Sequence, residues 1–319
     1  MELTQLIGED PAFEPVKQRV PLLARVDAPV LLTGETGTGK ELCARAIHYL
    51  SRRTGKPFLP VNCGAIPTEL FESEMFGHEK GAFTGAWTAR PGFIAEAEGG
   101  TLFLDEVDTL SLGAQAKLLR VLEGRSYCVL GSSRPRVADV RIVSATNVDL
   151  LGKVREGVFR ADLFYRLAVM SLALPPLRER PTDIPRLAEY FWARYMAQHD
   201  GPAKRLSPAA LEALCHHAWP GNVRELANVI QHVIAVTDGR PLVEVGDLPI
   251  APALPPPSNG ASFRQIKAQV VRQFERAYLT ELLRAHQGNV TRAARAARTG
   301  RRALGRLIKK HQLEKRQVS

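Results

Sequence analysis

The 319-residue sequence is poor in cysteine and has no long apolar run. Its four cysteines lie far apart and form no Cys-x-x-Cys pair, so neither a disulfide framework nor a zinc site is indicated. No apolar stretch approaches the ~20 residues that a membrane helix needs. The first residues also lack the basic and apolar segments of a secretory signal. We therefore expect a cytoplasmic protein that does not span a membrane.

Charge is unevenly distributed along a chain of otherwise ordinary composition. Apolar residues make up 45% and charged residues 24% of the sequence, as in soluble globular proteins, and the length predicts roughly two or three domains. The net charge is +10, and residues 261–319 contain 15 Lys and Arg against 3 Asp and Glu, so the rest is nearly neutral. Such a tail indicates a polyanionic partner, although a solvated basic helix has the same composition.

Proline marks the boundary between a large body and a smaller tail. Five prolines within 249–257 forbid a helix, so residues 249–262 are predicted to form an extended linker before a tail at 263–319. In the body, β-rich runs alternate with helical patterns, which predicts an α/β domain whose mostly parallel sheet is covered on both faces. The predicted strands lie at 28–32, 58–62, 101–105 and 140–146, and the predicted helices at 41–50 and 114–122. Residues 183–237 show a wholly helical pattern and predict an α-helical subdomain.

A glycine-rich segment follows the first predicted strand and opens a helix. It consists of Gly34, Glu35, Thr36, Gly37, Thr38, Gly39, Lys40 and Glu41. In this context glycines allow backbone N–H groups to converge on phosphate oxygens, and Lys40 reaches the β- and γ-phosphates. Glu41 replaces the usual Ser or Thr ligand of Mg²⁺, so the generic motif is incomplete. A glycine-rich turn without a ligand is the alternative interpretation.

Two adjacent carboxylates follow the predicted strand at 101–105. Asp105 is suited to hold Mg²⁺, and Glu106 is placed to polarise an attacking water in phosphoryl transfer. Two solvated turn residues are the alternative. Phosphoryl transfer also needs cations near the γ-phosphate, and Arg160 and Arg166 are candidates. Their spacing alone is more typical of arginines on the surface of a helix.

The segment Glu74–Ala86 contains the hexapeptide Gly-Ala-Phe-Thr-Gly-Ala at residues 81–86. With this segment, the body resembles the AAA+ domain of bacterial enhancer-binding proteins, the ATPases that activate RNA polymerase containing sigma-54. The resemblance runs from Leu6 to Pro249 and includes the segments at 174–180 and 219–226. It implies a P-loop AAA+ core at 1–175, an α-helical lid at 176–248, and ATP and Mg²⁺ as cofactors.

The resemblance also implies roles for matched positions. Residues 34–41 match Walker A, where Glu41 is common in the family, and Asp105 and Glu106 match Walker B. The remaining matches are Asn62, which holds the catalytic glutamate in check; Asn147, the first sensor of the γ-phosphate; Arg224, the second sensor on the lid; and Arg160 and Arg166, offered across the subunit boundary. Because the family forms rings, usually hexamers, we expect a homo-oligomer between a dimer and a hexameric ring.

The hexapeptide is the loop that the family uses to engage sigma-54. Its residues here are Gly81, Ala82, Phe83, Thr84, Gly85 and Ala86. The two glycines permit steep turns, and Phe83 is expected to be an exposed aromatic at the tip, where an apolar anchor contributes much contact energy. An ordinary glycine turn with Phe83 in the core is the alternative. A second loop is expected near 130–137.

The tail resembles the Fis-type helix-turn-helix usual at the C-terminus of this family. Residues 263–283 carry an apolar stripe that fits an amphipathic helix; Asn289 or Thr291 then caps a short helix, and Gly300 lies in the turn before a second one. The expected core is Ala294, Ala297, Leu304, Leu307 and Ile308, and the expected DNA contacts are Arg301, Arg302, Arg306, Lys309 and Lys310. Thr299, Gly300 and Gly305 depart from the common pattern, which weakens the case for base specificity. A basic dimerisation tail is the alternative.

These features predict a transcriptional activator that binds double-stranded enhancer DNA upstream of a promoter. Its ATP hydrolysis is expected to remodel the sigma-54 RNA polymerase holoenzyme from a closed to an open complex. No receiver or sensor domain fits before Leu6. We therefore expect the activity to be controlled by a separate inhibitory regulator or by expression level, or not to be controlled at all. Alternatives are a regulator of the housekeeping polymerase that binds nucleotide only as a ligand, and an AAA+ unfoldase or helicase. The intact loop at 81–86 argues against both.

Overall fold

The computed structural model describes residues 6–198, 204–237 and 240–250, and in the tail residues 275, 278–279, 282–283, 286, 289–297 and 299–310. The chain divides into two compact units, 1–250 and 251–319. The linker predicted at 249–262 lies almost wholly outside the described residues, as does most of the stripe predicted at 263–283. Where the chain is described, no helix is long and apolar enough to cross a membrane.

A five-stranded sheet forms the centre of the first unit, with strand order β2-β3-β6-β1-β7 and all neighbours parallel. The strands, in chain order from β1 to β9, are Val30–Thr33, Phe58–Asn62, Thr101–Asp105, Ser126–Cys128, Pro135–Val137, Arg141–Thr146, Met170–Ala173, Arg205–Leu206 and Leu242–Val243. The four predicted strands are confirmed to within two residues at each end. β4 and β5 form a separate antiparallel hairpin.

Helices cover both faces of this sheet, as the alternating pattern predicted. From α1 to α10 they are Glu14–Arg25, Lys40–Tyr49, Thr68–Phe76, Phe93–Glu96, Leu112–Gly124, Leu150–Arg155, Ala161–Leu167, Asp183–Met196, Pro208–His216 and Asn222–Val236. Because side chains alternate along a strand, Leu102 and Leu104 pack on one face with α3, α5 and α7, while Phe103 packs on the other with α1 and α2. The carboxyl ends of the strands are thereby left open between two layers of helices.

The helices α8, α9 and α10 form a third core around the fully buried Trp219. The prediction that residues 183–237 are wholly helical is wrong at one point. Arg205 and Leu206 form β8, which pairs in parallel with β9, and the Ser207 N–H donates to the Val243 carbonyl at 2.9 Å. A two-residue strand is too short to show an alternating pattern, so its partner decides its structure.

In the second unit the structure describes two helices, Val290–Ala296 and Arg301–Lys310, with Gly300 between them. Asn289, rather than Thr291, caps the first helix, because its Oδ1 accepts from the Thr291 and Arg292 N–H groups at 3.1 Å. The buried core is Leu279, Leu283, Ala293, Ala294, Leu304 and Ile308, with Leu307 partly buried. The predicted core residue Ala297 is only half-buried, because it lies at the C-cap, beyond the last turn.

Candidate nucleotide-binding site

The loop between β1 and α2 is shaped by glycines in the left-handed region. Gly34, Gly37 and Gly39 have φ angles of 144°, 80° and 102°, and Gly39 is the N-cap of α2. A Cβ at Gly34 would lie 2.7 Å from the Leu174 carbonyl oxygen, so only glycine fits there. The loop therefore ends in the free N–H groups of a helix N-terminus, a site that favours phosphate.

Lys40 is buried and folds back over this loop. Its Nζ donates to the carbonyl oxygens of Gly34 and Glu35 at 2.8 and 3.1 Å. Burial lowers the pKa of the Lys40 ammonium, and the negative charge of Asp105 opposes that shift. The carbonyl partners and the nearby carboxylate are what permit a charged ammonium to remain in this buried position.

Strand β3 delivers the two predicted carboxylates beside the loop. Asn62, at the end of β2, is the register partner of Asp105. Glu106 has a φ of 54°, and its N–H donates to Asp105 Oδ1 at 3.0 Å. A left-handed non-glycine residue is strained, and such residues are enriched at functional sites. In this conformation the Glu106 carboxylate lies against Gly64, near Asn62 Oδ1.

A cleft of about 290 Å³ unites the predicted residues from the sheet and the α-helical subdomain. Its lining comprises Thr36, Gly37, Gly39, Lys40, Glu41, Leu42, Asn62, Asp105, Glu106, Asn147, Phe191, Val223, Arg224 and Ala227. Asn147 Nδ2 donates to Thr36 Oγ1 at 3.0 Å, so the first residue after β6 contacts the loop directly. Arg224 enters the cleft from α10.

Arg160 and Arg166 lie outside the lining of this cleft. Arg160 precedes α7 and pairs with Asp162 at 2.7 Å, while Arg166 Nε lies 3.4 Å from Glu123 Oε1. Both arginine side chains are exposed. In the described part of a single chain, therefore, neither guanidinium lines the site where a nucleotide would bind.

A clamp that the sequence does not predict joins the loop to the helical subdomain. Arg178 donates to both carboxylate oxygens of Glu35 at 2.6 and 2.8 Å, and Asn222 Nδ2 donates to Glu35 Oε2 at 3.1 Å. Hydrogen bonds from Arg178, with Asn222 second, lower the pKa of Glu35 to about 2. Arg178 lies in the segment 174–180 and Asn222 in the segment 219–226, both of which carry the family resemblance. Nothing in their spacing reveals that both side chains contact Glu35.

The start of α10 is fixed against the same loop. Asn222 has a φ of 54°, is fully buried, and also donates to the Thr36 carbonyl at 3.0 Å. The Val223 N–H donates to the Gly37 carbonyl at 3.1 Å, and a Cβ at Gly37 would collide with the Gly221 carbonyl. These contacts explain why Arg224, one residue further on, reaches the cleft.

A buried arginine fixes the N-terminal segment beside the loop. Arg180 Nη2 donates to the Thr38 carbonyl at 3.2 Å, and its guanidinium stacks 4.4 Å from the centre of the Phe13 ring. Asp183 Oδ1 accepts from the N–H groups of Glu9 and Asp10 at 2.6 and 2.8 Å. Next to the main cleft, these elements enclose a smaller pocket of about 100 Å³. Its apolar lining is Leu6, Ile7, Phe13, Leu42, Cys43, Leu187, Tyr190, Phe191 and Val223.

The segment 81–86 forms a closed loop on the surface of the same unit. The Gly81 N–H donates to the Ala86 carbonyl at 2.8 Å, and Phe83 is 42% exposed with its ring centre 5.1 Å from that of His78. Phe83 is therefore outside the core, contrary to the alternative interpretation. Hydrogen bonds between Glu79 and Leu130, and between Leu130 and Gly77, join the base of this loop to the β4–β5 hairpin.

All five predicted DNA-contact residues are exposed on the helix Arg301–Lys310. They are Arg301, Arg302, Arg306, Lys309 and Lys310. Lys310 pairs with Glu275 at 2.7 Å. The buried face of this helix is apolar, through Leu304 and Ile308, so its exposed face is strongly basic.

The parallel sheet, the glycine-rich loop before α2 and the acidic pair after β3 define a P-loop ATPase, and the helical subdomain makes it an AAA+ protein. Sequence models of three families match the chain: "Sigma-54 interaction domain" at 6–173, "AAA+ ATPase lid domain" at 178–259, and "Bacterial regulatory protein, Fis family" at 270–311. The chain therefore belongs to the sigma-54-dependent transcriptional activators, with an AAA+ ATPase domain and a Fis-type helix-turn-helix DNA-binding domain.

Individual proteins agree with this assignment. The regulatory protein AtoC of Escherichia coli is 43% identical over 305 residues, covering 94% of this chain and 66% of AtoC. NtrC of Salmonella typhimurium is 41% identical over 333 residues, covering 98% of this chain and 71% of NtrC. The crystal structure of NtrX from Brucella abortus in complex with ATP is 34% identical, with a TM-score of 0.74, covering 96% of this chain and 69% of that one. The chain thus spans about two thirds of the length of these relatives.

Proposed function

We propose that this chain binds ATP and Mg²⁺ in the cleft between the sheet and the lid, and that hydrolysis there drives remodelling of the sigma-54 RNA polymerase closed complex. The observation that supports the proposal is the convergence of Lys40, Asp105, Glu106, Asn147 and Arg224 on one cleft. The α/β part of the domain supplies four of these side chains and the lid supplies the fifth. Because the cleft is lined from both sides, a change in the bound nucleotide or in the position of the lid alters its geometry.

The triphosphate lies along the loop at 34–39, with Lys40 Nζ leaving its carbonyl partners for the β- and γ-phosphate oxygens. The apolar pocket beside Phe13 and Phe191 accommodates the base. Structures of NtrX with ADP and with ATP have the same overall fold. Arg224 contacts the phosphates from the lid, and Asn147 is placed to sense the γ-phosphate.

Asp105 is the residue that would hold Mg²⁺, together with the phosphates. Where the chain is described, no group of three His, Cys, Asp or Glu side chains is arranged to bind a metal alone. Asp105 nevertheless fits Mg²⁺, because this ion is usually bound through one or two carboxylates plus substrate phosphates. One oxygen of Asp105 accepts the Glu106 N–H, while the other has no hydrogen-bond partner in the described residues. When bound, the ion neutralises charge that develops on the phosphates.

Glu106 positions the attacking water and accepts its proton at a carboxylate oxygen as the water oxygen bonds to the γ-phosphorus and the bond to ADP breaks. Asn62, the register partner of Asp105, restrains this carboxylate before hydrolysis; its Oδ1 accepts the Ala65 N–H at 3.1 Å, which leaves its Nδ2 as the donor for that role. Arg160 and Arg166 complete the site of a neighbouring copy, which fits their position outside their own cleft. Hydrolysis then requires assembly of copies, from a dimer to a hexameric ring.

The loop at 81–86 engages sigma-54, with Phe83 as an apolar anchor, and the basic face of the last helix binds enhancer DNA. Arg301, Arg302 and Arg306 offer guanidinium groups to phosphates or base edges. Each of these roles is open to test by a single substitution that leaves the others in place.

The decisive test compares Lys40→Ala with Phe83→Ala in three assays on the full chain. These assays are ATP turnover, binding of sigma-54 in the presence of ADP and aluminium fluoride, and open-complex formation. Lys40→Ala is expected to lose all three by at least ~100-fold, because removal of the phosphate contact prevents nucleotide binding. Phe83→Ala is expected to keep turnover within about threefold and to lose the other two.

An exposed-residue variant elsewhere, Leu22→Ala on α1, serves as the control and should behave as the wild type in all three assays. Full transcriptional activity of Phe83→Ala would contradict the role given to the loop. Full ATP turnover by Lys40→Ala would contradict the role given to the cleft.

A further inference from the structure

Trp87, directly after the loop at 81–86, is the most exposed large apolar side chain in the described part of the chain. It is 83% exposed, about twice as much as Phe83. Within the described residues its indole makes no hydrogen bond and no ring contact, whereas Trp192 Nε1 donates to the Lys204 carbonyl and Trp219 Nε1 to the Leu214 carbonyl. The Trp87 side chain therefore contributes nothing visible to the stability of the fold.

Backbone hydrogen bonds place this indole at the base of the loop. The Gly81 N–H donates to the Ala86 carbonyl at 2.8 Å and closes the loop immediately before Trp87, whose own N–H donates to the Gly85 carbonyl at 2.9 Å. Ala86, between the closing bonds, is buried. Phe83 at the tip is partly covered by His78. The loop thus presents two aromatic rings, and the ring at its base is the less covered one.

We propose that Trp87 is a second anchor for sigma-54, contacting an apolar patch of that protein and donating its indole N–H to an acceptor there. The inference rests on the proposed function, since it extends the contact made by the loop at 81–86. A tryptophan that moves from water into an interface buries roughly 150–250 Å², and tryptophan is among the residues most enriched at interface hot spots. Phe83 lies at the tip of the closed loop and Trp87 follows directly at its base, so one apolar patch on the partner can contact both rings.

Charge on this segment favours a protein partner over DNA. Residues 81–89 contain no charged side chain. Two cations flank them: Lys80, which is exposed, and Arg90, which is paired with Glu74 at 3.2 Å, so a single exposed ammonium adjoins the loop. Binding to single- or double-stranded DNA depends on Lys and Arg near the phosphates. An uncharged, aromatic and glycine-containing surface is instead suited to an apolar protein surface.

The test measures the affinity of the full chain for purified sigma-54 with ADP and aluminium fluoride, for the wild type, Trp87→Ala, Trp87→Phe and Phe83→Ala. Trp87→Ala is expected to weaken binding by ~10-fold or more, and Trp87→Phe by less, because it keeps an aromatic ring while losing the N–H and part of the apolar contact area. ATP turnover of both Trp87 variants should stay within about twofold of the wild type. In the wild type, acrylamide quenching of tryptophan emission should fall on binding, and Trp87→Phe should lose most of this protection.

The outcomes separate this inference from the proposed function. If Phe83→Ala loses sigma-54 while Trp87→Ala binds as tightly as the wild type, the loop assignment stands and the anchor is refuted. If the wild type itself fails to bind sigma-54, the proposed function fails first. A Trp87→Ala defect seen only when promoter DNA is present would overturn the anchor in favour of a DNA contact. A defect in self-association and ATP turnover would overturn it in favour of a contact between copies.

Discussion

Two glycine-rich loops in the AAA+ domain use the same residue for different reasons. In the loop at 34–39, a Cβ at Gly34 or Gly37 would collide with the carbonyl of Leu174 or Gly221. At Gly81 and Gly85 a Cβ would meet nothing within 4 Å. All four glycines have left-handed φ angles. The first loop therefore needs glycine for close packing and for backbone conformation, and the second needs it for conformation alone.

The first loop is also held by more contacts with the rest of the domain than the second. The first is held by the ion pair between Glu35 and Arg178, by Asn222, and by the ammonium of Lys40. The second is closed by short-range backbone hydrogen bonds, such as those from the Gly81 N–H to the Ala86 carbonyl and from the Ala86 N–H to the Phe83 carbonyl, and its tip residue Phe83 contacts His78. A phosphate cradle benefits from preorganisation, whereas a loop that grips a moving partner benefits from freedom to change conformation. Glycine content alone does not distinguish a fixed loop from a movable one.

The largest effect is expected from Gly37→Ala. The new Cβ would collide with the Gly221 carbonyl, and the alanine backbone would have to adopt an unfavourable φ of 80°. We therefore expect a loss of roughly 2–5 kcal/mol in the free energy of unfolding. Nucleotide binding should be lost as well. Urea unfolding without nucleotide measures the first effect and calorimetric titration with ATP the second.

Gly39→Ala is the matched control for the unfolding measurement, because its φ is 102° but nothing lies within 4 Å of a Cβ there. Its expected cost is only ~1–2 kcal/mol. Equal destabilisation by the two substitutions would show that the contact with Gly221 has no energetic role. It would then be wrong that the first loop needs glycine for close packing.

An intermediate effect is expected from Gly85→Ala. Its φ of 107° disfavours alanine, but the absence of packing allows the loop to relax, so the free energy of unfolding should fall by less than ~1 kcal/mol. Binding of sigma-54 should fall at least ~10-fold, because the relaxed loop no longer presents Phe83 and Trp87 together. Gly55→Ala, with a φ of 79° and equally open surroundings, controls for backbone strain.

For Gly85→Ala, chemical denaturation and titration with sigma-54 are the measurements. If stability drops by as much as it does for Gly37→Ala, the second loop is as tightly constrained as the first. Unchanged binding of sigma-54 would show that the left-handed conformation at Gly85 is not needed for the contact.

The smallest effect is expected from Gly305→Ala, a glycine that serves neither purpose. It lies inside the helix Arg301–Lys310, its φ is not left-handed, and a Cβ there would meet nothing within 4 Å. Alanine should stabilise this helix by ~1 kcal/mol, which corresponds to about fivefold slower amide hydrogen exchange in the helix. Faster exchange would mean that Gly305 has a structural role that its surroundings do not reveal.

Local features of the site were predictable because their causes are local. A β-rich run, a glycine loop and a helix at 30–49 are adjacent in sequence, and Asp105 and Glu106 directly follow their strand. The Ala297 error has a local cause too, since the helix ends one residue earlier than the apolar spacing suggests. In each case the relevant interactions span only a few residues.

The clamp on the loop was not predictable in the same way. Glu35 is 143 residues from Arg178 and 187 from Asn222, and a single sequence does not indicate which distant polar groups will pair. The exposure of Phe83 was predicted from the sequence, whereas its contact with His78 and the still greater exposure of Trp87 were not. Long-range pairing and side-chain exposure are properties of the folded chain, and they separate the two loops.

Strand β6 keeps a constant distance between the contacts at its two ends. All six of its residues are buried, and it lies between β3 and β1 in the middle of the sheet. At one end the Arg141 guanidinium is anchored to the Leu23 carbonyl at 2.7 Å, and at the other end Asn147 meets Thr36. At ~3.3 Å per residue the strand spans about 20 Å. Because an extended chain cannot stretch further, covalent geometry sets the distance between the Arg141 anchor and the contact of Asn147 with the glycine-rich loop.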